Sequence, residues 1–313
     1  MKHKTALIFP GQGSQVVGMG KDLYENFSCA KEVFQKTDEV LGVNLSKIMF
    51  EGPSEELTKT QNAQPALMAV SIAIIEILQK EFGKKVADIA SFVAGHSLGE
   101  YSALCAAGAL TLEQTAKLLQ TRGLAMAACG DKTQGAMAAI LGVDIAVAEA
   151  IASEAAAGEV CQVANDNSVG QIVLSGTKTA IERSIEIAKA KGAKRAIALP
   201  VSGAFHSALM QDAADVMQKA LAQADVKTPL VPVVANVIAS QTSNPEQIKE
   251  LLTKQITGSV RWRETMLFME KHGIEEVIEI GSGKVLCGLV GRTCANMKSR
   301  SIQNVEDIKN FVS

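Results

Sequence analysis

The chain has 313 residues, 47% of them hydrophobic and 20% charged, with a formal net charge of −2. That composition excludes a disordered chain and is large enough for one big domain, or for a big domain with a smaller one. The near-neutral balance gives no general attraction to nucleic acid or to anionic lipid.

Residues 5–9 form a short apolar run that stops at Pro10 and Gly11. It predicts a buried strand that enters a glycine-rich turn, PGQGSQ at 10–15. Helical apolar spacing follows over 67–82, and a second strand is predicted over 89–94. GHSLG at 95–99 comes directly after it, and 100–108 reads as helix. Residues 111–128 predict another helix, with Thr111 as its N-cap and Glu113 in its first turn. Strands alternating with helices imply a mostly parallel sheet covered on both faces.

The pattern then changes. Strands are predicted at 136–143, 160–164, 171–175 and 195–201, with helices at 144–157 and 177–191. That is β-α-β-β-α-β, the ferredoxin-like arrangement. The fold class expected is α/β: a hydrolase-like large domain with a parallel sheet, made of 1–129 and 202–313, and an inserted ferredoxin-like small domain at 130–201. Gly130, Gly135 and Gly203 mark the edges of the insertion and suit hinges. Beyond it come helices at 208–223 and 246–255 and strands at 231–234 and 276–280.

Six scattered cysteines without a C-x-x-C pair are expected to be reduced, mostly buried thiols of a cytoplasmic protein. The four histidines lie far apart with no H-E-x-x-H spacing, so no metal site is expected. The apolar run at 6–9 is too short for a signal peptide. The run at 66–78, broken by Ser71 and Glu76, falls short of a membrane span.

GHSLG is a G-x-S-x-G pentapeptide with a strand before it and a helix after it, the context of a nucleophile elbow. Such a turn projects the Ser97 hydroxyl above the sheet, and the amide of Leu98 at the helix start favours negative charge where an oxyanion would form. The 10–15 loop follows the first strand at the same sheet edge, and Gly11 and Gly13 let its backbone approach a ligand. It is not a nucleotide loop: G-x-G-x-x-G fails at Val16, the P-loop pattern fails at Met19, and GSGK at 281–284 fails at Val285. Serine needs a base within hydrogen-bond reach. His206 stands in an apolar, glycine-bearing segment at an element end, whereas His3 and His272 have polar surroundings and His96 is expected to pack under the elbow. Arg122 falls on the same helix face as Leu112, Thr115, Leu119 and Met126, so it needs an anionic partner or a route to water.

FPGQGSQ at 9–15, GHSLGEY at 95–101, QTRG at 120–123, GAFH at 203–206 and EIGSGKV at 279–285 resemble the signature blocks of malonyl-CoA:acyl carrier protein transacylases, in the family's order and over nearly the whole chain. The resemblance implies Ser97 as nucleophile, His206 as its general base, the amides of Gln12 and Leu98 as the oxyanion hole, and Arg122 as the ligand of the malonyl carboxylate. It implies Gln255, in QITGSVRW at 255–262, as the residue whose oxygen orients the histidine. Malonyl-CoA and acyl carrier protein would be the substrates, with no metal or cofactor of the enzyme's own. Val169 and Ser282 stand where the family commonly has proline. Lys189, Lys191, Lys194 and Arg195 cluster at one turn, which reads either as a positive face that steers an acidic carrier or as a solvated lysine-rich turn. The runner-up reading is a serine thioesterase or hydrolase, and a third is a non-catalytic carrier-docking module.

Overall fold

The structure is a computed structural model that describes residues 3–201 and 203–313. Met1, and Ser202 at the start of the expected second segment of the large domain, lie outside them. Among the described residues, ten strands form two sheets. In chain order they are β1 (Thr5–Phe9), β2 (Phe92–Gly95), β3 (Gly135–Leu141), β4 (Cys161–Ser168), β5 (Gln171–Thr177), β6 (Arg195–Ala198), β7 (Val233–Ala235), β8 (Ser240–Thr242), β9 (Glu276–Ile280) and β10 (Lys298–Ile302).

The large sheet has the order β10-β9-β1-β2-β7-β8. All its pairings are parallel except the β7–β8 edge. The residues of β1 after Thr5 and all of β2 are buried, because helices cover both faces. One cover is the helix Thr60–Lys80, which begins earlier than the apolar run suggests and passes through Pro65. It is long and apolar enough to cross a membrane, yet it is buried almost all round, as a core helix is. It packs on the helix Leu112–Thr133, whose Thr111 cap forms a capping box with Gln114. Gly123 makes that crossing close: a Cβ there would lie 2.5 Å from Gln61 Cα.

The small sheet has the order β4-β5-β3-β6, all antiparallel, with the helices Ile145–Ala156 and Lys178–Ala190 between its strands. Its strands span 135–198, and the helix Leu112–Thr133 runs past residue 130 before they begin. β6 ends at Ala198, short of the predicted 201. The edge glycines make close contacts. A Cβ on Gly135 would meet Ala204 Cβ at 2.5 Å, and one on Gly203 would meet Gly130 Cα at 3.1 Å.

The small sheet is joined to the segment after β8 along β4. Asp166 N donates to Val260 O, Val260 N donates to Ala164 O, and Asp166 forms an ion pair with Arg263 at 2.8 Å. All six cysteines are free thiols.

Candidate active site

Ser97 sits between β2 and the helix Gly99–Ala106 with a φ of 54°, in the left-handed region that costs a non-glycine residue energy. Glycines make that turn possible. A Cβ on Gly95 would fall 1.9 Å from Gly99 C, and one on Gly99 would fall 2.3 Å from Phe9 O. The peptide is gripped at both ends: Ser97 N donates to Asn236 Oδ1 at 2.8 Å, and Gln255 Nε2 donates to Ser97 O at 3.0 Å.

The Ser97 hydroxyl lies 2.8 Å from His206 Nε2. Across the ring, His206 Nδ1 lies 2.8 Å from the main-chain oxygen of Gln255. A carbonyl only accepts, so Nδ1 carries the hydrogen and Nε2 is the bare acceptor facing serine. The oxygen beside the ring is therefore the Gln255 carbonyl, not its side-chain amide. His206 is itself at a φ of 57°, just after the β6 segment and before the 3-10 turn Ala208–Met210. Burial, and then the nearby Arg122 charge, push its pKa down to about 3.

The cation is Arg122, only 1% exposed. Its Nη1 donates to Gln64 Oε1 at 2.8 Å. Its Nη2 donates to Gln255 Oε1 at 3.0 Å and to Ser97 Oγ at 3.1 Å. The face with Thr115, Leu119 and Met126 is buried, as the spacing implies, and the guanidinium reaches the site from it. No carboxylate is in direct contact with it among the described residues.

Leu98 follows Ser97 directly, and Gln12 lines the cavity beside it. Gly99, Glu100 and Tyr101 donate back to His96, Ser97 and Leu98, which leaves the Leu98 amide as the first unpaired donor of the turn. Gln12 lies in the 10–15 loop, which presses on the elbow: a Cβ on Gly11 would lie 2.8 Å from His96 O. His96 is not under the elbow. It borders the cavity, its Nε2 lies 2.8 Å from Asn167 Oδ1, and its ring tilts against Trp262.

Part of this set lines one cavity of about 380 Å³. Gln12, Ser97, Arg122 and His206 form its polar end, and Met126, Met137, Val173, Leu199, Val201 and Phe205 form its apolar wall. The small sheet contributes Met137, Asn165, Asn167 and Val173, so both sheets build the site. The arrangement supports attack of a serine oxygen on a carbonyl, with a cation placed for an anionic substituent.

Sequence reasoning missed Asn236, Gln64 and Glu100. Asn236 and Gln64 stand outside any chemical motif. Glu100 follows the elbow directly in GHSLGE and was readable only as a first-turn acid.

In the lysine-rich turn, Lys189 pairs with Glu186 and Lys191 with Glu154, so two of the four cations are matched locally.

Residues 6–310 match a family model described as acyl transferase domain. A malonyl CoA-acyl carrier protein transacylase of Bacillus subtilis (strain 168) is 45% identical over 307 residues, covering 98% of this chain and 95% of that protein. An acyl-carrier-protein-S-malonyltransferase from Bartonella henselae superposes with a TM-score of 0.95 at 50% identity, covering 98% of each chain. A malonyl-transacylase solved in complex with a type II PKS acyl-carrier protein superposes with a TM-score of 0.94 at 39% identity, again over 98% of each chain.

Proposed function

Since the chain belongs to the acyl transferase domain family, we propose that it moves malonyl groups from malonyl-CoA to the phosphopantetheine thiol of acyl carrier protein, supplying fatty acid chain elongation. It is an acyltransferase, and the observation that carries the finer reading is the buried Arg122 guanidinium 3.1 Å from the Ser97 hydroxyl. A hydrolase of the same fold has no need of a buried cation beside its nucleophile. A planar guanidinium suits a carboxylate with two parallel hydrogen bonds.

The geometry supports the following steps. His206 Nε2 takes the Ser97 proton as the serine oxygen attacks the thioester carbonyl, while Nδ1–H stays on the Gln255 carbonyl. The oxyanion is received by the amides of Leu98 and Gln12. The C–S bond breaks, and CoA leaves as a thiol with the proton that His206 returns. The carrier's thiol then gives its proton to His206 and attacks the malonyl-serine ester. The Ser97 oxygen leaves and regains that proton. The imidazolium forms beside a neutral carbonyl, so it is held in orientation with less charge stabilisation than a carboxylate would give. The carrier supplies the phosphopantetheine arm; the chemistry drawn here uses the chain's own side chains and amides. The reading places the enzyme in the cytoplasm, where six free thiols stay reduced.

Brief mixing with malonyl-CoA followed by intact-mass and peptide analysis tests this. One malonyl group is expected on Ser97, and none on the Ser97→Ala protein. Undiminished labelling of that variant sinks the assignment, and steady malonate release without a thiol acceptor favours the hydrolase.

A further inference from the structure

Glu100 is a carboxylate that the steps above leave without work. It sits in the first turn of the helix Gly99–Ala106, where acids are common because they face the helix dipole. Such acids are ordinarily solvated, and this one is 2% exposed. Its Oε2 accepts from Gln255 Nε2 at 2.9 Å and from the Asn236 amide at 3.0 Å.

Both donors belong to residues that hold the nucleophile. Asn236 takes the Ser97 amide hydrogen, and Gln255 donates to the Ser97 carbonyl. Gln255 also carries the oxygen that fixes His206 and the amide oxygen that receives Arg122. One carboxylate oxygen thus ties together Asn236 and Gln255, the two residues that hold the ends of the elbow's strained peptide, the second of which also holds the ring of the base. Burial disfavours the Arg122 charge, and Tyr101 and then Glu100 offset that; Glu100 is the carboxylate among them, although none is in direct contact with Arg122 among the described residues.

We propose that Glu100 is the positioning carboxylate of this site, locking Gln255 in place and serving as the resident counter-ion of Arg122 until a substrate carboxylate arrives. The proposal rests on the reading of Ser97 as nucleophile and Arg122 as carboxylate ligand. It has two separable parts. The hydrogen bonds set the geometry of acylation. The charge sets how strongly Arg122 draws an anion, because a bound malonyl carboxylate and Glu100 share one cation.

Burial pushes the Glu100 carboxyl up to about 7, against the pull of its two donors and of Arg122. The other titratable groups around the network are Tyr101 on its own helix, His96 at the elbow and His206 after β6. Burial drives the Tyr101 phenol up, out of reach, and lowers both histidines, so they stay neutral near pH 7. Near neutrality the group that changes charge is therefore Glu100. As pH rises through 7 it ionises and competes more strongly for Arg122, so the affinity for malonyl-CoA falls.

Single-turnover acylation of Ser97, read by quenched intact mass, separates the parts. Glu100→Gln keeps an oxygen acceptor and removes the charge. The half-saturating concentration of malonyl-CoA should drop about tenfold at pH 8, while that of acetyl-CoA stays put. Tenfold corresponds to about 1.4 kcal/mol. Glu100→Ala removes the acceptor as well, and its acylation rate constant should fall about tenfold with both substrates, with the Gln variant restoring it. In the wild type the half-saturating malonyl-CoA concentration should rise from pH 6 to pH 8, and in Glu100→Gln it should be flat. An unchanged half-saturation in folded Glu100→Gln overturns the counter-ion role, and an unchanged rate in folded Glu100→Ala overturns the positioning role. If neither variant folds, a wild-type half-saturation flat across that range overturns the proposal. Absence of any label on wild-type Ser97 is a different failure, that of the function itself.

Discussion

Arg122 Nη2 donates a 3.1 Å hydrogen bond to Ser97 Oγ, the same oxygen that faces His206 Nε2 at 2.8 Å. The cation thus rests on the serine oxygen. It lowers the basicity of the serine oxygen and opposes a second positive charge on His206.

Arg122→Ala should therefore divide substrates. Removing one partner of a buried charge pair costs roughly 3–5 kcal/mol, which at about 1.4 kcal/mol per decade is a hundredfold or more in kcat/KM for malonyl-CoA. Acetyl-CoA has no distal carboxylate, so its slow reaction should change little or improve. The ratio of the two kcat/KM values, on protein shown by circular dichroism to be folded, is the quantity to measure. An equal loss for both substrates would make Arg122 structural.

Glu100 should burden the fold at high pH. Its carboxyl rises from an ordinary 4.5 to about 7 on folding, because burial disfavours the charged form. Between those values the folded state binds more protons than the unfolded chain, so stability falls as pH rises through that window. Glu100→Gln cannot ionise. Its melting temperature should exceed the wild type's at pH 8.5, and the gap should close by pH 5. A gap that is constant with pH would contradict an ionising, buried Glu100.

Gly11→Ala tests the second oxyanion donor without touching the serine. The added carbon would lie 2.8 Å from His96 O, so the 10–15 loop must retreat from the elbow and carry the Gln12 amide with it. Loss of one oxyanion donor costs about 10²–10³ in rate in other serine enzymes. Ser97 acylation should slow by about tenfold or more with little change in melting temperature. Full activity in the variant would remove Gln12 from the oxyanion hole.

The Arg263–Asp166 pair should matter more than the surface pairs. Asp166 is nearly buried and Arg263 is 23% exposed, whereas Lys132 and Asp212 are 72% and 63% exposed. Arg263→Ala leaves a buried carboxylate alone and should cost about 2 kcal/mol, less than a fully buried pair. Lys132→Ala should cost well under 1 kcal/mol. Urea unfolding of both variants gives the comparison.

Much of this architecture was readable from residue order. The Thr111 cap, the strand before GHSLG and the β-α-β-β-α-β run all announce themselves through local periodicity and turn chemistry. Strand β8, with three residues, and the polar β10 (KSRSI) were not predicted, because neither carries an apolar pattern. The start of the Thr60–Lys80 helix was hidden by Pro65, which reads as a boundary until tertiary packing overrides it. In the site, side chains tied to a motif or a helical stripe were legible: Ser97, His206 and Arg122. Asn236 and Gln64 were not, since their partners lie 139 and 58 residues away in sequence. Gln255 was named, but only the folded chain reveals that its backbone meets His206 while its side chain meets Arg122, Ser97 and Glu100.

The order β10-β9-β1-β2-β7-β8 has a consequence for biosynthesis. Strand β1 is made first, yet one of its two neighbours, β9, begins at Glu276. At roughly 5–20 residues per second, a ribosome needs about 15–55 s to supply it. Through that interval the innermost strand of the large sheet has an open edge, apolar on both faces. The small sheet is made from one continuous stretch and can close while synthesis continues. The nascent chain is thus most exposed to aggregation while its N-terminal half waits for its C-terminal strands, and slow non-local pairing, not the insertion, should set the pace of maturation.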